Sequence, residues 1–351
     1  MDKKTIGIIG GGQLGRMISL AASYMGHKTH IFNPSDCPAF AVTNQTTQAE
    51  YTDTAALEAF AKSVDVVTLE FENIPVSSVE IIEKITPVYP SSKTLRTAQN
   101  RVLEKTFLRE AGIPIADFHP INTYEDFTQA VDNIGRPSVL KTAMFGYDGK
   151  GQYKIESETD LQTAWNATGD GEKILESWVP FDCEISVIVA RGLNGEIRCF
   201  PPTENVHKNH ILDTSTVPAN ISADVIDKAI NIATKIAEKL DLIGLIAVEM
   251  FVCSDGEVLV NEIAPRPHNS GHWTMEGCVT SQFEQLVRAV LGLPLGSVDV
   301  PYEKVVMTNL IGDDVNNFAP ALADPHTKIH IYGKDEVKTG RKMGHITTVY
   351  K

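Results

Sequence analysis

A chain of 351 residues with 42% hydrophobic side chains is long enough to bury the cores of two or three domains. Its net charge of −14 opposes phosphate-rich surfaces, which excludes general binding to nucleic acid or an anionic membrane but not a small anion held by a local basic cluster. The five cysteines (37, 183, 199, 253 and 278) form no CxxC pair, no N-terminal charged-then-apolar signal occurs, and no run reaches the roughly 18 apolar residues that span a bilayer, so the expectation is a soluble, reduced, cytoplasmic protein.

The predicted elements begin at once. Residues 5–9, TIGII, read as a buried strand, and GGGQLG leads into an apolar helical run from Arg16 to Met25. A second strand follows at KTHIFN, a third at DVVTLEF (65–71) and a fourth at PVYPS (87–91), with helical patterns between them. Strands alternating with helices over residues 1–95 predict a parallel, doubly wound, Rossmann-like sheet. Helical periodicity resumes from Lys93 to Ala111 and stops at GIP. Short strands come next around SVLKT and GQYKI, joined by the glycine-rich AMFGYDGKG, and KILESWV and EISVIVA give two more. A long helix, Ala223 to Leu240, places Val225, Ile226, Ala229, Ile232, Ala233, Ile236 and Leu240 on one stripe. The hairpin IAVEMFVC-SDGE-VLVNEI follows, then a helix near 281–291 and a mostly β tail, an α/β and α+β chain overall.

Gly10, Gly12 and Gly15 form G-x-G-x-x-G after a strand and before a helix, the setting of a dinucleotide fingerprint. Glycines there let backbone N–H groups approach an anion at the helix N-terminus. The second strand, however, ends at Asn33-Pro34, where a ribose-binding acid is expected, and Asp36 lies beyond the proline. A simple phosphate suits this loop better than NAD; a tight turn with no ligand is the bland alternative.

The second glycine loop, KTAMFGYDGKGQ (141–152), sits between strands and matches no P-loop. Gly146, Gly149 and Gly151, flanked by Lys141 and Lys150, have the makings of a flexible cover over a triphosphate. An ordinary D-G turn is the alternative, but Lys141 lies in an apolar strand, where a lysine without an anion is costly.

If Asp255-Gly256 form a two-residue hairpin loop, Glu249 stands opposite Glu262 with Phe251, Cys253, Val258 and Val260 as apolar same-face neighbours. Two carboxylates there need a cation, and oxygen-only ligands indicate Mg²⁺ or Mn²⁺ bound with a nucleotide's phosphates. Strand alternation turns Asn261 to the opposite face, and a register slip would leave both glutamates solvated. Beyond this strand, APRPHNSGHWT delivers Arg266, His268, Asn269 and His272 beside the phosphate–metal site, with two prolines restricting the backbone.

With these residues in place the chain resembles the ATP-grasp superfamily, and within it the N5-carboxyaminoimidazole ribonucleotide synthetases. The resemblance runs nearly full length, through IGIIGGGQLGRM, LEFENI, FGYDGKGQ, ESWVPFDCEIS, NEIAPRPHNSGHWT and KTGRKMGHIT. It implies a preATP-grasp domain over 1–95, an ATP-grasp domain over 96–298 with a lid at about 115–178, and a C-terminal subdomain over 299–351. The implied reaction joins ATP, bicarbonate and aminoimidazole ribonucleotide through carboxyphosphate to give the N5-carbamate, ADP and phosphate, in a likewise implied homodimer.

Carried onto this sequence, Arg101 and Lys141 would contact phosphates, and Gly146, Tyr147, Asp148, Gly149, Lys150, Gly151 and Gln152 would cover them. Glu176, Ser177, Trp178 and Val179 would flank the adenine, with backbone contacts from Glu176 and Val179. Glu184 would hold the ribose hydroxyls, and His207 and Asn261 would join the nucleotide site; Glu249 and Glu262 would bind the metal. For the second substrate, Gln13, Leu14 and Gly15 would meet the ribonucleotide phosphate, with Lys338 and Arg341 opposite. Glu72 and Asn73 would face its ribose, while Tyr147, Asp148, Arg266, His268, Asn269 and His272 would surround the imidazole and bicarbonate. Arg266, His268, Asp148 and Lys141 are the implied catalytic set.

Three other readings share parts of this pattern. A formate-using glycinamide ribonucleotide transformylase would have the same ATP site, an NAD oxidoreductase the first loop, and a non-catalytic nucleotide sensor the overall shape. The intact glutamate pair and Lys141 argue against the sensor.

Overall fold

The computed structural model describes residues 2–144, 146 and 151–351. Its first layer is a parallel sheet in the order Gln45–Gln48, Lys28–Asn33, Thr5–Ile9, Val66–Leu69. Ile6 and Ile8 pack on one face with Leu14, Met17 and Ile18 of helix Gln13–Tyr24. Ile9, Phe32 and Leu69 pack on the other with Leu57 and Phe60. Burial on both faces is why these strands read as unbroken apolar runs.

Two expectations need correction. The strand that completes the sheet is Gln45–Gln48, third in chain order, a polar edge segment whose largely exposed side chains give no apolar signal. PVYPS makes only one isolated bridge, Val67 to Val88, because Pro87 and Pro90 have no N–H to extend a ladder. The helix expected from Lys93 to Ala111 is two, Ser92–Gln99 and Arg101–Glu110. Asn100 separates them with extended dihedrals (φ −119°, ψ 116°), and its side chain accepts from the Val102 and Leu103 N–H groups at 2.8 and 3.1 Å. This cap sets where Arg101 leaves the chain.

A second, small antiparallel sheet runs in the order Phe118–Ile121, Lys173–Ser177, Ser138–Thr142, Gln152–Ile155. Phe127, Ala130 and Val131 of helix Tyr124–Ile134 and Ala164 of helix Leu161–Ala167 cover its apolar face. The third layer is a nine-stranded antiparallel sheet. It passes from Val258–Ala264 through Gly244–Cys253, Phe181–Arg191, Thr203–Lys208, Ile211–Val217, Lys304–Ile311 and Lys342–Tyr350 to Thr327–Ile331, with Ile197–Cys199 beside Phe181–Arg191. The predicted β tail is thus continuous with the central hairpin.

Helix Ala223–Lys239 buries its stripe on one face of this sheet. Helix Gln282–Val290 packs on the other and shares a core with Ile6, Leu14 and Met17 of the first layer. That shared core fixes the first glycine loop against the large sheet. Asn100→Ala should lower stability by about 1 kcal/mol, the usual cost of a lost N-cap. Calorimetry should show a drop in Tm of roughly 1–2 °C for a chain of this size; an unchanged Tm would remove the cap's role.

Candidate active site

Glu249 and Glu262 are direct partners in the hairpin, but not by the route the sequence suggested. Near the turn, Val252 pairs with Val258 and Met250 with Val260, so the loop holds three residues, Ser254, Asp255 and Gly256. Gly256 takes the left-handed φ of 78° that such a loop needs. A bulge at Asn261 then restores the expected facing pair. The bulge also overturns two face assignments. Val258 and Val260 lie in the core beneath helix Ala223–Lys239, and Leu259 is the residue opposite Phe251. Asn261 and Glu262 are both half-buried between the core residues Val260 and Ile263, so simple alternation does not apply to Asn261.

Each glutamate is met by a side-chain donor. Arg101 Nη1 lies 3.1 Å from Glu262 Oε2, and its Nη2 donates to the Gly146 carbonyl at 3.4 Å. His268 Nε2 lies 3.0 Å from Glu249 Oε1. Burial pushes the Glu249 carboxyl up, but His268, His207 and Lys342 outweigh it and hold it at about 2. His207 Nδ1 is 3.1 Å from Glu184 Oε2, which brings two expected nucleotide contacts together.

The small sheet contributes the next cluster. Lys141 Nζ lies 2.9 Å from Glu176 Oε2, and Lys105 Nζ approaches the same oxygen at 3.7 Å. Burial opposes the Glu176 charge, yet Lys105, Lys141 and Arg101 hold its carboxyl at about 2. Lys105 is almost fully buried and also donates to the carbonyls of Val260 and Asn261 at 3.2 and 2.7 Å. Lys105 is not among the predicted site residues, although its i,i+4 spacing from Arg101 on one helix is the available signal. Glu176, expected to contribute only its backbone, places a charged side chain in the cluster.

A cleft of about 530 Å³ joins the first glycine loop to the C-terminal strands. Gly11, Gly12, Gln13 and Leu14 line it, with Arg266, His268 and Asn269 on another wall and Lys334, Arg341 and Lys342 across from the loop. Lys334 and Lys342 were not among the predicted site residues. Lys338 is not brought in: it is exposed and pairs with Glu336 at 2.6 Å.

The glycine loop itself needs reinterpretation. Glu70, buried and unremarked in the sequence reading, accepts from the Leu14 N–H at 3.3 Å. Burial raises its pKa, while Arg266 and the N–H groups of Gly12, Leu14 and Gly15 lower it. A Cβ at Gly12 would collide with the Glu70 carboxylate. The glycines therefore admit an internal carboxylate to the helix end, and the cations of the cleft are arginine and lysine side chains on its other walls.

The loop after Glu262 is held residue by residue. Arg266 forms a two-pronged ion pair with Glu72, Nη2 to Oε1 at 2.9 Å and Nε to Oε2. Burial raises the Glu72 carboxyl, but Arg266 and His268 outweigh it and hold it at about 2. A directed chain fixes His268: the Ser215 hydroxyl donates to Asn205, Asn205 to Ser186, and Ser186 to the Ser270 hydroxyl at 2.7 Å. Ser270 Oγ, already an acceptor, is left to donate to His268 Nδ1 at 2.8 Å, which assigns the ring proton to Nε2 facing Glu249. Asn269 exchanges paired hydrogen bonds with Asn309 at 2.9 and 2.7 Å. His272 departs from its expected place beside the substrate. It is fully buried, bonded to Gln282 and packed against Phe283 and His345.

Of the remaining predicted residues, Gln152 begins the edge strand with Gly151 in the turn just before it, and Asn73 follows Glu72 in the segment after the parallel sheet. The Ser177 and Trp178 N–H groups already donate to the Asp117 and Pro137 carbonyls, and Val179 is buried beyond them. Tyr147, Asp148, Gly149 and Lys150 lie outside the described residues. The facing carboxylates, with the Asn261 amide on the same strand, form an oxygen donor set that fits a hard divalent cation.

A parallel-sheet domain, a small sheet bearing buried lysines and a broad sheet with facing carboxylates define an ATP-grasp enzyme. The family models agree: the ribonucleotide synthetase preATP-grasp domain matches residues 3–99, the ATP-grasp domain 106–283, and the phosphoribosylaminoimidazole carboxylase C-terminal domain 305–351. N5-carboxyaminoimidazole ribonucleotide synthase of Bacillus subtilis is 46% identical over 97% of this chain and 90% of its own length. The chain belongs to the N5-carboxyaminoimidazole ribonucleotide synthase family. The bifunctional purine synthesis protein purC/E of Dictyostelium discoideum is 48% identical over 98% of this chain, which spans 37% of that longer protein. A crystal structure of the Aspergillus clavatus synthase, in complex with ADP and 5-aminoimidazole ribonucleotide, is similar at a TM-score of 0.92 and 32% identity, covering 99% of this chain and 94% of that one.

One buried acid in this cluster is readable by pH. Burial, with Glu262 and Glu176 nearby, raises Glu104 to about 8 against the pull of Lys105 and Arg101. The folded chain then holds a proton that the unfolded chain releases near 4.5, so this stability is present below about 4.5 and lost progressively as pH rises toward 8. Glu104→Gln should therefore match the wild type in Tm at low pH and exceed it increasingly up to about pH 8. A Tm difference that stays flat with pH would show that Glu104 is not held protonated.

Proposed function

We propose that this chain uses ATP to carboxylate aminoimidazole ribonucleotide with bicarbonate, giving N5-carboxyaminoimidazole ribonucleotide, ADP and phosphate in purine biosynthesis. The observation that carries the reading is a single cleft in which Arg266, Arg341, Lys334 and Lys342 face the first glycine loop, beside the facing Glu249 and Glu262. A ribonucleotide phosphate meets the cations at one end, leaving its amine toward His268 and Arg266. Lys141 and Arg101, held by Glu176 and Glu262, receive the ATP phosphates.

In this reaction a bicarbonate oxygen attacks the γ-phosphorus, the bond to ADP breaks, and carboxyphosphate forms. It releases CO₂ and phosphate; the substrate amine attacks the CO₂ carbon and loses a proton to give the carbamate. Mg²⁺ or Mn²⁺ at Glu249 and Glu262 supplies charge neutralisation at the transferring phosphoryl group. Arg266 is fixed in orientation by Glu72, and His268 by Ser270, so neither must reorganise as charge develops. The reading includes a homodimer, from the family resemblance, and a cytoplasmic setting, which the five free cysteines suit.

The test is a coupled ADP-release assay with each substrate varied separately. Turnover should need both bicarbonate and aminoimidazole ribonucleotide; formate with glycinamide ribonucleotide should not replace them. Arg341→Ala should raise KM for aminoimidazole ribonucleotide roughly ten- to a hundredfold, as expected for a lost charge-assisted hydrogen bond, with KM for ATP nearly unchanged. Lys338→Ala should remain near wild type, because that side chain is exposed and outside the cleft. A selective rise in the ATP KM of Arg341→Ala would reverse the assignment of the two sites.

A further inference from the structure

Away from the cleft, the fold gathers three ligating side chains that the proposed reaction does not use. His330 and His345 stand directly opposite each other on neighbouring antiparallel strands, their rings stacked with centroids 4.7 Å apart. Glu276, on the short helix Thr274–Gly277, places Oε1 2.7 Å from His330 Nε2. One ligand atom from each of the three lies within 4.8 Å of the other two.

Two polar atoms of this cluster are buried and lack a hydrogen-bond partner among the described residues, His345 Nε2 and Glu276 Oε2. His345 is fully buried, and its Nδ1 is already engaged by the Tyr332 hydroxyl at 2.9 Å. In either ring tautomer, then, Nε2 is a buried polar atom with nothing to bond. Such an atom is unfavourable to leave unmet, and two of them in one cluster indicate a missing ligand.

We propose that His330, His345 and Glu276 form a binding site for a borderline divalent transition ion, with zinc as its representative. Two imidazoles and one carboxylate suit zinc far better than magnesium or calcium, and three protein ligands leave a fourth position for water. The Tyr332 hydroxyl, by accepting from Nδ1–H, would turn the His345 Nε2 lone pair toward the ion, the usual outer support of a ligating histidine. Burial and the neighbouring His330 hold the His345 pKa well below its ordinary value, so the ring is neutral as a ligand must be. The His330 side chain, 28% exposed, gives the ion a route in. Bound there, the ion would clip Thr274–Gly277 to strands Thr327–Ile331 and Lys342–Tyr350, between which run Lys334 and Arg341.

The test is a titration of metal-free full-length protein with zinc against a chromophoric chelator, alongside cobalt as a spectroscopic substitute. The wild type should bind one equivalent that His330→Gln and Glu276→Gln each lose or weaken at least tenfold, while Glu249→Gln keeps it. Cobalt should give d–d absorption bands of a low-coordinate site in the wild type and not in the two variants. Zinc should raise the wild-type Tm but not that of His330→Gln, whose metal-free Tm reports whether it folds. Binding that is absent in the wild type, unchanged in both variants, or lost in Glu249→Gln would overturn the site. In those cases the cluster is an ion pair beside a packed histidine.

Discussion

Two carboxylates on facing positions of an antiparallel hairpin repel each other, and a low-dielectric surrounding strengthens that repulsion unless cations or hydrogen-bond donors are brought to the same place. Glu249 and Glu262 impose this constraint, and widely separated parts of the chain answer it. Arg101 reaches Glu262 from the start of a helix whose beginning is fixed by the Asn100 cap. His268 reaches Glu249 from the loop that leaves the same hairpin, with its ring oriented by four polar side chains of the large sheet and that loop. The core shared between helices Gln13–Tyr24 and Gln282–Val290 then holds the first glycine loop beside the same hairpin.

The neighbouring cluster is rich in cations. Arg101, Lys105 and Lys141 bring three positive charges, while Glu176 and Glu262 bring two negative ones, because Glu104 is raised to about 8 and is neutral below that pH. Burial lowers the Lys141 pKa against the pull of Glu176, so its charge is costly there without a further anion. On the proposed reading a nucleotide's phosphates supply the missing anion. The link from Lys105 on the body to Glu176 on the small sheet ties the position of that sheet to the same electrostatics.

The parallel sheet, the long amphipathic helix and the hairpin were legible because burial leaves a period in the sequence. Gln45–Gln48 was not, since a polar edge strand has no such period. The glutamate pair was found through two local departures that cancel: a three-residue loop in place of two, and a bulge at Asn261 that restores the register. Glu70, Glu104 and Lys105 went unseen because buried charges carry no pattern of their own; only the tertiary partner makes them stable. Lys338 and His272 show the converse. Both sit in segments whose neighbours reach the cleft, yet one turns to solvent and the other into the core. Proximity in sequence to Arg341 or His268 could not decide that.

The account rests on Glu249 and Glu262 acting together at the phosphates, and the turnover of Glu262→Gln tests it most directly. Its side chain is 39% exposed, so the fold should survive the change, as an unaltered thermal transition would verify. ADP release at saturating substrates and ordinary magnesium should fall roughly a hundredfold or more, within the range for lost charge stabilisation at a transferring phosphoryl group. Turnover near that of the wild type would contradict the pairing on which this description is built.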